Sequence, residues 1–259
     1  MDDRVREHAE TLVGWSARIE PGDDVVVDVA EGAHELAVAV AERLGEVGAN
    51  MTLTYGSDEV TRAYLRAHDG EFGTAAGELA LFERADAYLR LGGGRNTAAT
   101  ADVESGTRQA YRSARTDLRE ARMDTDWVST VHPTRSLAQG AGMAYEAYRE
   151  FVYDAVLCDW EALAGKMARV KELLDSGEEV RIVTERDDRP STDVRMSIDG
   201  RTAVNSAASV AYDSHNLPSG EVFTAPYDTT GQVFFDVPMT VDGRRVRDVR
   251  LVFEGGEVV

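Results

Sequence analysis

The chain has a single cysteine, Cys158, among 259 residues. That excludes an internal disulfide framework and a thiolate metal cluster, and leaves a packed thiol as the expected role. Lysine is nearly absent as well: of 28 basic residues only Lys166 and Lys171 are lysines, and 26 are arginines. Positive charge as a whole is in deficit, because 47 Asp and Glu give a formal net charge of −19 and a pI near 4.6. So acidic a chain has no uniform attraction for phosphate backbones, which argues against a nucleic-acid partner. No apolar run is long enough to span a bilayer, and the opening MDDRVREHAE lacks the basic stretch and apolar core of a signal segment. No membrane partner is expected, and the expected location is the cytoplasm.

Apolar material is plentiful. A hydrophobic content of 43%, with three Trp, nine Tyr and seven Phe, is too much for a disordered acidic chain, and the length suffices for one large or two ordinary domains. Excess carboxylates beside scarce lysine fit a halophilic surface, where concentrated salt screens self-repulsion over a few ångströms. A general acidic protein from a GC-rich genome is the other reading.

An opening helix is expected from Val5 to Ser16, followed by the turn Glu20-Pro21-Gly22-Asp23 and the β-branched run Val25–Val29, typical of a strand buried on both faces. Leu36, Val38, Val40, Leu44 and Val47 then recur along a helix that Gly48 ends, and Met51–Tyr55 reads as the next strand. This is a βαβ unit, and the alternation continues with a helix over Glu59–Ala67 and a strand over Ala87–Leu91. Met143–Leu174 reads as one long helix or a pair. Beyond Gly177 the period becomes two, with strands expected around Val180–Val183, Val194–Ile198, Gln232–Phe235 and Val249–Phe253, and turns at Asp199-Gly200, Asp242-Gly243 and Gly255-Gly256. The expected fold class is α/β: an N-terminal, mostly parallel sheet with flanking helices over residues 1–177, then a partial, β-rich (α+β) domain over 178–259. Only Glu257-Val258-Val259 follow the last turn, so that domain is expected to be incomplete, with an unfinished sheet edge.

Local motifs for chemistry are sparse. His8, His34, His68, His132 and His215 are scattered, with no HExxH, and no serine sits in a GxSxG elbow. The run Gly92-Gly93-Gly94 follows a strand, where α/β sheets often bind ligands, but its spacing fits neither a dinucleotide fingerprint nor a P-loop, so a tight turn is expected. From Gly106 to Arg122 the pattern is helical, and Arg108, Arg112, Arg115, Arg119 and Arg122 fall on one face. Such a stripe is suited to pairing with the protein's own carboxylates or a subunit neighbour, or to gripping an anion.

One segment stands apart. In Asn216-Leu217-Pro218-Ser219-Gly220-Glu221-Val222-Phe223-Thr224-Ala225-Pro226, a single carboxylate follows a Pro-Ser-Gly turn and opens a short β-type run closed by proline. Read from the residues alone, Glu221 is either a surface carboxylate or a rigidly placed ligand. The stretch NLPSGEVFTAP closely resembles the N-x-P-x-GE-[VI]-FTAP signature of the thermophilic, AmpS-like metallo-aminopeptidases. Flanking similarity follows in order: REHAETLV…IEPGDDVVV, YGSDEVTRAYLR, the stretch from Trp127 to His132-Pro133, and AYEAYREFVYDAVLCDW.

The resemblance implies release of N-terminal amino acids from peptides by a pair of divalent ions that polarise the scissile carbonyl and acidify a bridging water. It implies Glu221 as a metal ligand, with Zn, Co or Mn as suitable ions, and a homodimer acting on peptides with a free N-terminus. The family's further ligands, another Glu, two His, a Tyr and an Asp, lie C-terminal to the signature, and no histidine follows Glu221 here, so the chain is expected to be truncated and its centre incomplete. Two other readings stay open: an inactive homologue acting as a folded binding or dimerisation module, and an anion- or nucleotide-binding protein using the glycine turn and the arginine stripe.

Overall fold

The computed structural model describes residues 2–96, 98–185, 187, 189–241 and 244–259, with backbone alone at Thr240, Val241, Arg244 and Arg245; the expected Asp242-Gly243 turn lies outside the described residues. The chain forms two compact units, one of residues 1–163 and 206–220 and one of 164–205 and 221–259.

The first unit begins with α1 (Asp3–Glu10), capped by the Asp2 carboxylate and continued by a π-helical turn over Thr11–Ser16. Then come β1 (Asp24–Ala30), α2 (His34–Val47), β2 (Asn50–Gly56), α3 (Asp58–Ala67), α4 (Ala76–Phe82) and β3 (Ala87–Gly92). These lead to α5 (Ser105–Ser113), α6 (Thr116–Met123), β4 (Asp126–Val131), α7 (Arg135–Gly140), α8 (Tyr145–Val156) and the start of α9 (Trp160–Asp175). Gly48 ends α2 as expected: at φ 85° it takes the left-handed conformation, and its N–H closes on the Leu44 carbonyl at 3.0 Å. The helix expected over Gly106–Arg122 is divided at Ala114–Arg115 into α5 and α6, and the span expected over Met143–Leu174 is the pair α8 and α9.

The sheet of this unit has the order β2-β1-β3-β4-β8, where β8 (Asn216–Leu217) arrives from far along the chain, and every pairing in it is parallel. The alternation of side chains then decides which residues meet. Val25, Val27 and Val29 of β1, Leu89 and Leu91 of β3 and Val128 of β4 enter one core with Leu36, Val40 and Leu44 of α2, Leu12 of the π-turn and Val152 and Val156 of α8. On the opposite face, Val26 and Tyr88 pack with Phe82 of α4 and Leu118 of α6. Burial on both faces is why β1 carries a continuous β-branched run rather than an alternating one.

The second unit contains the rest of α9, β5 (Glu179–Thr184), β6 (Thr192–Ser197), β7 (Val204–Ser206, entering the first unit at Ser206), β9 (Glu221–Phe223), β10 (Asp228–Phe235), β11 (Met239–Val241), β12 (Arg244–Val246), β13 (Val249–Glu254) and β14 (Glu257–Val258). Antiparallel pairing gives the sheet order β14-β13-β10-β6-β5, beside the two-stranded pairs β11-β12 and β7-β9. The Gly255-Gly256 turn returns the chain against β13, with Phe253 opposite Val258. The four strands expected from the period-two pattern are β5, β6, β10 and β13. The α/β class holds: a parallel sheet with flanking helices, followed by antiparallel β structure.

The glycine-rich end of β3 is a packing junction. A Cβ on Gly32, in the β1–α2 turn, would lie 2.0 Å from the Gly93 carbonyl oxygen, and Gly93, at φ +144°, would meet the His132 carbonyl at 3.1 Å. The Thr134 and Ser136 hydroxyls both donate to the Gly94 carbonyl, at 3.1 and 2.5 Å. The β1–α2, β3 and β4–α7 connections therefore touch through backbone. Gly32→Ala is expected to lose roughly 1–3 kcal/mol or more of stability, because the clashing atom is main chain and cannot swing aside. Urea unfolding monitored by Trp fluorescence checks this.

Candidate functional site

The signature segment is anchored at its N-terminal end by the parallel sheet. Asn216 and Leu217 form β8 against β4, in register with Ser129 and Thr130, and the Ser129 N–H donates to the His215 carbonyl at 2.8 Å. Thr130 is buried, and its hydroxyl lies 2.7 Å from both the Leu217 carbonyl and Nε2 of His8. A hydroxyl has one proton, and a carbonyl can only accept. Thr130 therefore donates to Leu217 and accepts from His8, which fixes the His8 tautomer with its proton on Nε2. The resulting chain, His8 Nε2–H to Thr130 Oγ1–H to Leu217 C=O, ties the first helix to the residue that precedes Pro218.

The turn itself is held by serines. The Ser219 hydroxyl is hydrogen-bonded to that of Ser206, which in turn lies 2.9 Å from the Ser214 hydroxyl, and Ser214 accepts the Ala208 N–H at 3.0 Å. The Gly220 N–H donates to the Ser206 carbonyl at 2.9 Å, and Gly220 sits at φ +104°, a conformation that side-chain-bearing residues rarely adopt. Upstream, the Ser209 hydroxyl donates to the Trp15 carbonyl at 2.6 Å, while the Trp15 indole donates to the Ala207 carbonyl at 2.9 Å. Residues 206–220 are thus locked by polar contacts at many points.

Glu221 follows directly, as the first residue of β9, which pairs with β7. Its side chain is exposed, and among the described residues it makes no hydrogen bond or ion pair. Among the described residues no three of His, Cys, Asp and Glu converge as a metal-holding group. Glu221 is thus one available carboxylate, and the described residues do not complete a metal centre around it.

The histidines are otherwise engaged. His215, closest in sequence to the signature, stacks on Trp127 with ring centroids 4.4 Å apart and 11° between planes, and its Nδ1–H donates to the Trp127 carbonyl at 2.9 Å. His68 stacks on Phe72 at 4.1 Å, and His34 is exposed at the start of α2. His8 and His132 are both buried, with Nδ1 of each unpartnered. Burial pushes the His8 imidazole down to about 3, helped by the nearby His132, and burial also lowers His132. The sequence pattern singles out Glu221 as a candidate but carries no sign of the His8–Thr130–Leu217 chain, since no local pattern links residues so far apart.

Comparison with known proteins gives four results. The family model for the thermophilic metalloproteases (M29) matches residues 1–259. The solved structure of wild-type AmpT from Thermus thermophilus superposes with a TM-score of 0.77 at 21% identity, covering 99% of this chain and 71% of that one, which establishes a shared fold. An apo cysteine desulfurase from Thermococcus onnurineus NA1 aligns at a TM-score of 0.31 and 12% identity over 52% of this chain and 28% of that one, too weak to carry an argument. No curated protein sequence matches.

The buried hydrogen-bond chain makes two predictions. Thr130→Val keeps shape but removes the acceptor of His8 and a donor to Leu217, and is expected to cost about 1–3 kcal/mol in chemical unfolding. The His8 imidazole takes up a proton near 6.5 in the unfolded chain but only at about 3 in the folded one. The unfolded state therefore binds more protons across that interval, so stability is whole above it and falls as pH drops. Replacing this group in His8→Gln is expected to reduce the pH slope of the unfolding free energy by up to about 1.4 kcal/mol per pH unit. Urea titrations at a series of pH values read that slope.

Proposed function

The chain belongs to the thermophilic metalloprotease family M29, and on that premise we propose that it is a metal-dependent aminopeptidase, with Glu221 as a carboxylate ligand to a divalent ion. The family uses divalent metal; Zn, Co and Mn are the ions proposed, on the chemistry of an oxygen and imidazole donor set. The observation that supports the reading is the presentation of Glu221. An unpaired, exposed carboxylate stands at the end of a turn held by Ser206, Ser219 and the Leu217 carbonyl, within the sequence GEVFTAP. No protein group competes with an ion for that carboxylate among the described residues.

The substrates proposed are peptides with a free N-terminus, and the assembly proposed is a homodimer in the cytoplasm of a halophilic source. No described helix is long and apolar enough to cross a membrane. A second reading, a non-catalytic homologue that serves as a binding or dimerisation module, is favoured by one observation: the described residues supply no cluster that could hold an ion.

Release of p-nitroaniline from aminoacyl anilides in multimolar KCl distinguishes the two. The aminopeptidase reading expects activity that depends on added Zn, Co or Mn, is lost with a chelator, and falls by roughly 100-fold or more in Glu221→Ala. A folded chain inactive with every metal supports the module reading instead, and light scattering of that protein reports whether it is a dimer.

A further inference from the structure

Under α4, α5 and α6 the first unit contains a cavity of about 550 Å³ on the second face of the parallel sheet. Parallel sheets covered by helices are ordinarily apolar along both faces. Here that holds for one row only: Val26, Tyr88 and Trp127 stand in register across β1, β3 and β4, and pack with Phe82 and Leu118. Two residues further along the strands, on the same face and nearer their C-terminal ends, the register brings together Thr54, Asp28, Arg90 and Ser129 across β2, β1, β3 and β4. A polar row crosses this face, half-buried at Thr54, Asp28 and Ser129 and exposed at Arg90.

The cavity is lined by five arginines, Arg90, Arg112, Arg115, Arg119 and Arg122, against two carboxylates, Asp28 and Glu78. Both carboxylates are already committed. Asp28 accepts from the Thr54 hydroxyl and from the Tyr88 hydroxyl, each at 3.0 Å, and Glu78 takes both oxygens to Arg115 at 2.5 Å. Arg122 lies over the Tyr88 ring, 5.3 Å from its centroid, with its Nε buried and unpartnered. Among the described residues, the guanidiniums of Arg90, Arg112 and Arg119 make no ion pair or hydrogen bond. A protein of net charge −19 thus lines one pocket with five guanidiniums against two carboxylates, a local excess of three positive charges. The division of the helix at Ala114–Arg115 turns Arg115 onto Glu78 while Arg112, Arg119 and Arg122 still line the same cavity.

We propose that this cavity is a binding site for a small, multiply charged oxyanion of the phosphate class, held by Arg90, Arg112, Arg119 and Arg122. Guanidinium pairs are suited to such ligands because their forked N–H groups match two oxygens at once. The C-terminal end of parallel strands is also where open α/β sheets bind ligands. The site is separate from the signature segment and does not depend on a metal.

The test is the melting temperature of the 259-residue chain with inorganic phosphate, at an ionic strength held constant with KCl and with a chelator present. Phosphate is expected to raise the melting temperature of the parent and of Lys166→Gln/Arg169→Gln, which removes two exposed positive charges elsewhere. The rise is expected to vanish in Arg112→Gln/Arg119→Gln, whose replaced groups have no protein partner to lose. Titration calorimetry should show binding weakened about tenfold or more in each single variant. A parent that does not respond, or a response that persists in the Arg112/Arg119 double variant, overturns the proposal. So does a change of oligomeric state in that variant with the phosphate response intact, which would assign the arginines to an acidic protein surface.

Discussion

The first unit depends on a hydrogen-bond chain that no single element contains. Thr130 on β4 accepts from His8 on α1 and donates to Leu217 on β8, so one hydroxyl joins the opening helix, the sheet edge and the segment that leads to Glu221. Because Thr130 is buried, each of these groups would otherwise be stripped of water without a partner. That penalty holds β8, a strand of only two residues, on a parallel sheet where its own backbone pairing is slight. The segment 206–220 returns after the chain has left the first unit, and it carries the signature as far as Gly220.

Close backbone approach acts in the same way beside it, at the C-terminal ends of the strands. A Cβ added at Gly32 would come within 2.0 Å of the Gly93 oxygen, so three connections converge where position 32 has no room for a side chain. The run Gly92-Gly93-Gly94 resembles a ligand-binding turn in sequence, yet its glycines are accounted for by the packing of the β1–α2 and β4–α7 turns against it. The polar, cation-lined cavity lies elsewhere, on the helix-covered face beyond Tyr88. Apolar burial and charge are thus sorted along each strand: Val26 and Tyr88 toward the N-terminal end, Asp28 and Arg90 toward the C-terminal end.

Much was legible in the sequence by itself. Val25–Val29, the Leu36–Val40–Leu44 stripe and the stop at Gly48 announced β1, α2 and the parallel class, because burial on two faces and a left-handed helix end each demand specific residue types. The antiparallel strands β5, β6, β10 and β13 were legible from a period of two, and GEVFTAP pointed to the family and to Glu221. Short elements such as α4 and β7 left no such signal, since a few residues cannot display a period. Only the tertiary structure decided that β8 closes the parallel sheet, that Thr130 links His8 to Leu217, and that the arginine stripe breaks at Ala114–Arg115 and shares a cavity with Asp28 and Arg90. Local pattern records which face a residue must bury. Which distant residue meets it there is set by strand register and by the partner that satisfies a buried polar group, and neither is written in neighbouring residues.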